Sequence, residues 1–399
     1  MPISTLHQGV FAGAAGSAGA YAVDNSAMFN KADSEYLAAD SGFGTPSNAD
    51  IGTISTWFKR ANFGGTNLRL FTHGSGGSVQ IQAYFKSDNT LVVGNGTEVT
   101  TTQVFRDPHA WYHLVVRVDT SQGTAANRVR VYLNGSQITD FSASSYPSQN
   151  ADIFTSTGWR IGSWTGGTSH TFDGYMAEVV YCDGQSLAPT SFGEFDTNGI
   201  WKPIDVTGLT FGNNGFYLDF ETAGSDLGDD KSGEGNDFTN TNSVSQSSDS
   251  PTLNCPTFSP LDYVSNAGTL SEGNTKFATG GNDSLMALSQ TVIESGCYWE
   301  AKVTSAGDEM FGLWANSTKP LRAASTSSPH TDAAAFVIRI AGNGLYVAGS
   351  DAGFTSAGIS TNDVLMFAYK DGQLFYGKNG SWENSANPEN ETGELFTIS

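Results

Sequence analysis

Carboxylates, imidazoles and aromatic rings are the groups with which this chain could do chemistry, and their spacing narrows what that chemistry is. Glu178 interrupts a mostly apolar run, Tyr175 to Cys182, between glycine turns at Gly174 and Gly184. It could be a catalytic acid, a metal ligand or a strand residue facing water. Retaining glycoside chemistry needs a second carboxylate about 5 Å away, and Val179-Val180-Tyr181 supplies none. Glu194 and Asp196 lie two apart but lack a third acid. His109 and His113 flank Trp111 across a turn and a strand, so they do not converge as an i, i+4 pair on a helix would. The chain has no G-x-S-x-G elbow, no H-E-x-x-H and no P-loop. The expectation is a protein that is not an enzyme, with Glu178 facing water or holding a loop.

Asp226, Asp229, Asp230 and Asp237, with Ser232, Glu234 and Asn236 among glycines, offer the oxygens that Ca²⁺ takes, without EF-hand spacing. Bound Ca²⁺ is one expectation for this loop, and solvated turn acids are the other. Trp164 sits in the glycine-rich stretch GSWTGGTSHTF. With Tyr146, Trp201 and Trp314 it is a candidate platform for stacking on sugar faces, with loop Asn and Asp as hydrogen-bonding partners. The competing reading for each ring is that it caps a core.

The elements that must position these groups are strands. The chain has 399 residues, 47 of them glycine, and 12% aromatics, which fits an all-β protein with many turns better than a disordered one. TISTWFKR, LRLFTHG and AWYHLVVRVDT carry strand texture, and VQIQAYFKSDNTLVVGNG reads as a hairpin across Ser87-Asp88-Asn89. In NRVRVYLNG, Val129, Val131 and Leu133 point one way, and Arg128, Arg130 and Tyr132 the other. Asn134-Gly135 is a type I′ turn signal. Residues 222–259 are poor in large apolar residues and read as a linker or long surface loop. Strand texture returns with CYWEAKVTS, MFGLWAN, AAFVIRI and DVLMFAYKDGQLFYGKNGSW. The expected fold is two antiparallel β-sandwiches joined by a polar linker.

Nineteen basic residues against 40 acidic ones give a net charge of −21, which repels phosphate backbones and argues against nucleic-acid binding. No apolar stretch is long enough to span a membrane as a helix. Cys182, Cys255 and Cys297 are too far apart for a thiolate metal site and odd in number, so they read as reduced thiols. The N-terminal Gly/Ala run is too weakly apolar for a secretory leader and reads as a flexible or docked arm.

The segments SAMFNKADSEYLAAD, TISTWFKR, AWYHLVVRVD, RVYLNG, RIGSW and FDGYMAEVVYCDGQSL, taken in order, resemble the laminin G-like, concanavalin A-like jelly rolls. In that family a strand like FYLDFE comes first. Here it follows the domain, at Phe216 to Glu221, so the resemblance implies that this segment supplies the missing strand as in a circular permutation. CYWEAKVTS, FGLWAN and the Tyr-Gly-Lys-Asn-Gly hairpin resemble SPRY domains, with a sheet left incomplete or closed by another chain. The implied organisation is an arm at 1–22, a laminin G-like jelly roll at 23–240, a linker at 241–262 and a SPRY-like sandwich at 263–399.

The combination resembles virion proteins of marine bacteriophages. That resemblance implies a tail fibre or surface appendage assembled in the host cytoplasm, homo-oligomeric (a trimer by analogy with phage fibres). Its partners would be other tail or capsid proteins and host-surface polysaccharide. Reduced cysteines agree with cytoplasmic assembly. A capsid-decorating or tail-scaffold protein and a polysaccharide-degrading tailspike are the alternatives. The ligand-binding candidates are Trp164, Tyr146 and Trp314, and the metal candidates Asp226, Asp229, Asp230 and Asp237.

Overall fold

Alternation along the strands builds two stacked sheets. In Ile51–Arg60, Ile54 and Phe58 enter the core while Trp57 and Lys59 point to the opposite face, as the two-residue period of a strand requires. The computed structural model describes residues 2–3, 6–7, 21–63, 67–76, 78–155, 157–167, 170–261, 268–279, 296–307, 310–314, 335–340, 344–347, 349–356 and 358–397. These residues form antiparallel sheets and short 3₁₀ turns, with no α-helix among them. They fall into two compact units, Gly19–Asn254 and Met1–Ala18 with Cys255–Ser399.

In the Gly19–Asn254 unit the first sheet runs in the order Ser136–Gln137, Val129–Leu133, Tyr112–Asp119, Ile51–Arg60, Gly174–Asp183, Ser26–Phe29, Ser245–Ser247. The second runs Phe141–Ser144, Thr97–Val104, Thr90–Asn95, Ser78–Phe85, Leu68–Ser75, Trp159–Ile161, Tyr36–Ala39, Thr239–Thr241. Phe29, Phe58, Phe71, Leu114, Val116, Trp159, Phe172 and Met176 fill the core between them. Asn134 and Gly135 both have positive φ at the hairpin after Val129–Leu133, as a type I′ turn demands. Gly174 is required at its position, since a Cβ there would lie 2.2 Å from the Lys59 carbonyl oxygen.

Phe216–Leu218 pairs with Gly174–Asp183, Leu218 facing Val179, and Phe216 and Leu218 enter the core. The segment expected as the displaced family strand therefore lies in the sheet. The stretch read as a linker, 241–262, differs from its composition. Ser245–Ser247 pairs with Ser26–Phe29, and Asp249 and Ser250 are buried, which carries the first unit to Asn254 rather than residue 240. A strand made of Ser and Gln is held by main-chain bonds, which leave no apolar pattern to read.

In the other unit Cys297–Lys302, Val364–Lys370 and Gln373–Lys378 form the centre of one sheet, and Met310–Trp314, Ala335–Arg339, Gly344–Val347 and Ser350–Thr355 form a meander. Trp299 stacks on Phe367 at 5.3 Å in its core. The arm docks here by main-chain pairing. Leu6–His7 lies on the free edge of Cys297–Lys302, and Pro2–Ile3 pairs with Lys276–Thr279.

Candidate functional site

The outward face of the first sheet is closed over by the chain's own segments. A bulge at Ala177–Val180 sets Glu178 at φ +50° and re-aims its side chain to this face. Glu178 does not face water. It is 5% exposed, with the Tyr217 hydroxyl 3.0 and 2.9 Å from its two oxygens and the Tyr21 hydroxyl 3.0 Å away. Burial is the main cause that raises its acid to about 7, against the lowering effect of the two tyrosines. Burial also pushes both tyrosine hydroxyls up, the opposite of what a nucleophilic tyrosinate needs.

Beside it, His113 stacks on Trp57 at 4.6 Å and on Trp201 at 6.0 Å. The Trp201 indole N–H donates to His113 Nδ1 at 2.9 Å, so neutral His113 carries its proton on Nε2 and presents it to Ser55 Oγ at 2.8 Å. That tautomer cannot take a proton from Ser55, so the pair is no nucleophile and base. Burial lowers the imidazole to about 3. Trp201, weighed above as a sugar platform, is thus 8% exposed and committed to His113. A Lys59–Asp249 ion pair at 2.8 Å, with Trp111 Nε1 donating to Asp249 at 2.9 Å, closes the other end. Cys182 is a buried free thiol pushed up to about 12 by desolvation.

The outward face of the second sheet is built otherwise. Register aligns Gln82, Thr72, Arg160, Ala38 and Thr239 across five strands, with Tyr84 opposite Arg69 and Tyr36 opposite Thr241. Arg160 lies 4.6 Å from the Tyr36 ring centre and makes a two-point pair with Asp40 at 2.7 and 2.9 Å. Its Nη1 donates to the carbonyls of Trp164 and Gly167 at 2.9 and 3.2 Å, and Thr72 Oγ1 donates to the Ser163 carbonyl at 3.0 Å. These bonds pin the turn that carries half-buried Trp164 onto the face. Arg69 lies 5.2 Å from the Tyr84 ring centre and 5.6 Å from that of Trp164. His170 meets Trp164 edge-on at 5.9 Å. A shallow cleft of about 450 Å³ continues the face, lined by Ala38, Asp40, Phe43, Gly235, Asp237 and Thr241 among others.

The remaining sequence candidates are dispersed. Tyr146 is half-buried against the sandwich core. Trp314 ends the strand Met310–Trp314 opposite Ala335, and its side chain lies outside the described residues. In the acidic loop, Asp230 accepts from the N–H groups of Tyr217 and Ser232 at 2.8 Å and of Asn236 at 2.9 Å, and from Ser232 Oγ at 2.6 Å. Its own N–H donates to Asp237 Oδ1 at 2.8 Å. Asp226 accepts from Ser225 Oγ, and Asp229 lies 3.8 Å from Lys231. Among the described residues no group of three or more His, Cys, Asp or Glu is placed to hold a metal ion. Arg69, Tyr84, Arg160 and Tyr36 belong to no motif. The only sequence signal for them is a charged or amphipathic side chain out of phase with the apolar set of its strand.

No curated protein matches the chain. Solved structures overlap it in part. A heptameric SAP-like pentraxin from Limulus polyphemus is 18% identical, covering 42% of this chain and 78% of its own, at a TM-score of 0.32. Trypanosoma rangeli sialidase is 14% identical over 36% of this chain and 22% of its own, at 0.28; the chain thus spans about a fifth of that enzyme's length. The CBM40 of the Ruminococcus gnavus IT-sialidase, bound to α2,3-sialyllactose, is 16% identical over 36% and 87%, at 0.25. The family evidence is confined to the first unit: residues 31–185 match the model of the concanavalin A-like lectin/glucanases superfamily and form a domain of that laminin G-like type.

Proposed function

We propose that the protein is a non-enzymatic adhesin of a bacteriophage virion that binds host-surface glycans through the outward face of the second sheet. The observation that carries the glycan reading is Trp164, held onto that face by Arg160 and Thr72 beside an arginine-rich, hydroxyl-bearing row and an open cleft. Sugars present an apolar face and a rim of hydroxyls, which an indole flanked by fixed donors and acceptors matches. The virion role rests on the sequence resemblance to phage appendage proteins. Weak single-site contacts suffice for adhesion when many copies, in a homo-oligomer such as a trimer, act from one particle.

Ca²⁺ at Asp226, Asp229, Asp230 and Asp237 is part of the proposal as a structural ion that would have to draw these acids from their present loop partners into one set. The concentration of free Ca²⁺ should then raise the melting temperature, and a chelator should lower it.

The test uses purified chain on a panel of bacterial surface polysaccharides. An adhesin binds a subset, competes with phage for host cells and releases no reducing sugar. Release of reducing sugar would make it a polysaccharide-degrading tailspike. Absence of binding to every polysaccharide, with retention on virions, would make it a decorating or scaffold protein.

A further inference from the structure

The second sheet's outward face holds a cation with no acid in direct contact, although Glu98, beside Tyr84, favours its charged form through space. Arg69 donates through Nε to Gln82 Oε1 at 3.0 Å and through Nη1 to the Asn67 carbonyl at 3.3 Å. Among the described residues no carboxylate lies within ion-pair distance of it, although the chain carries 40 acids to 19 basic residues. Other cations of this sandwich are placed differently. Lys59 has Asp249, and Arg160 has Asp40. Arg60 has unpaired Nε and Nη2 atoms, but these are sealed inside the core. Arg69 Nη2 is not among the sealed atoms, although the residue as a whole is only 7% exposed.

Further unmet hydrogen-bonding capacity collects at the same place. His170 Nδ1 and Thr165 Oγ1 have no partner, and both residues adjoin the Trp164 ring or its turn. The backbone N–H of Arg69 donates to the His170 carbonyl at 3.3 Å, which ties these elements together. A guanidinium cannot shed its charge by deprotonating, and an unpaired buried cation is costly. An arriving anion would relieve that cost. The guanidinium is planar, its plane is fixed by the hydrogen bonds to Gln82 and Asn67, and its free edge suits the planar oxygens of a carboxylate.

We propose that Arg69 makes this face selective for acidic glycans, taking the carboxylate of a sugar acid on its Nη2 edge while Trp164 packs on a sugar ring. The proposal rests on the glycan-binding reading above. The net charge of −21 works in favour of a clean result, because no general basic field attracts polyanions to this chain.

The test titrates the full chain with oligogalacturonate, with its methyl ester (the same sugars without charge), and with a sulfated galactan oligosaccharide. Wild type should bind the acid at least about tenfold more tightly than the ester. Arg69→Gln should abolish that difference, whereas Trp164→Ala should weaken acid and ester alike. Gln82→Glu supplies Arg69 with an internal carboxylate and should also remove the preference, which keeps the test decisive if Arg69→Gln does not fold. The proposal is overturned if wild type binds the ester as well as the acid, if the preference survives Gln82→Glu, or if the sulfated oligosaccharide binds best. Equal binding of acid and ester leaves the glycan reading standing. Binding of none of the three, together with failure on the polysaccharide panel, removes that reading and this proposal with it.

Discussion

The two outward faces of the first sandwich start from the same kind of strand and reach opposite ends. Both carry aromatic rings, a histidine and basic residues out of phase with the core. On the first sheet these groups satisfy one another: Trp201 feeds His113, Tyr21 and Tyr217 hold Glu178, and Asp249 neutralises Lys59. On the second sheet the bonds of Arg160 and Thr72 support a turn, and Trp164 and the Nη2 edge of Arg69 remain uncommitted. A closed polar network specifies a fold, while an open one is available to a ligand. Perturbed titration alone does not distinguish them, since groups as strongly displaced as Glu178 and His113 sit on the closed face.

The comparison can be broken most forcefully at the ion pair. Asp249→Ala strands the buried Lys59 charge and should destabilise the sandwich by about 3–5 kcal/mol, read by urea denaturation, with glycan affinity per folded molecule unchanged. A loss below about 1 kcal/mol would mean that this face is not the sealed one.

Glu178→Gln comes next, and its sign follows from burial. Folding raises the acid from its ordinary 4.5 to about 7, so the folded state binds the proton more tightly. Its contribution is complete below pH 4.5 and is lost as pH rises through 7. At about 1.4 kcal/mol per unit this is on the order of 3 kcal/mol. The variant should therefore match wild type near pH 4.5 and melt higher than wild type at pH 8.5. Asp173, raised to about 6 by burial, has the same sign and persists in the variant. His73 and His113, lowered to about 4 and about 3, act oppositely by weakening the fold as pH drops below about 6.5.

On the second sheet the effects fall on binding. Trp164→Ala should cost roughly tenfold in glycan affinity, about 1.4 kcal/mol, with far less change in stability than Asp249→Ala. Arg160→Lys is the smallest perturbation. It keeps the charge but loses the two-point pair with Asp40 and the fork that holds the Trp164 turn, so calorimetry should find a loss of only about threefold.

Much of this was legible in the sequence. Alternation located the strands, Asn134-Gly135 located a hairpin, and the misplaced Phe216–Leu218 was recognisable because a strand was missing ahead of it. Trp164 stood out because its neighbours are glycines. Other features were hidden for physical reasons. Glu178 reads from the sequence as facing water or holding a loop, and a bulge, which no pattern of residue types announces, turns it toward Tyr217. The strand Ser245–Ser247 is chosen by main-chain pairing, and Asp249 is polar only in composition, since its charge meets Lys59 from 190 residues earlier. Arg69 carries no motif at all. Its significance lies in the lack of a direct acid partner for its Nη2 edge, which only folded neighbours reveal.

The most direct measurement is hydrogen–deuterium exchange of the full chain with and without saturating oligogalacturonate, and again with its methyl ester. Binding at the outward face of the second sheet should slow exchange in Leu68–Ser75, Ser78–Phe85 and the 159–167 segment, and leave 188–218 unchanged. Protection confined to 188–218 or to the Cys255–Ser399 unit would contradict this account.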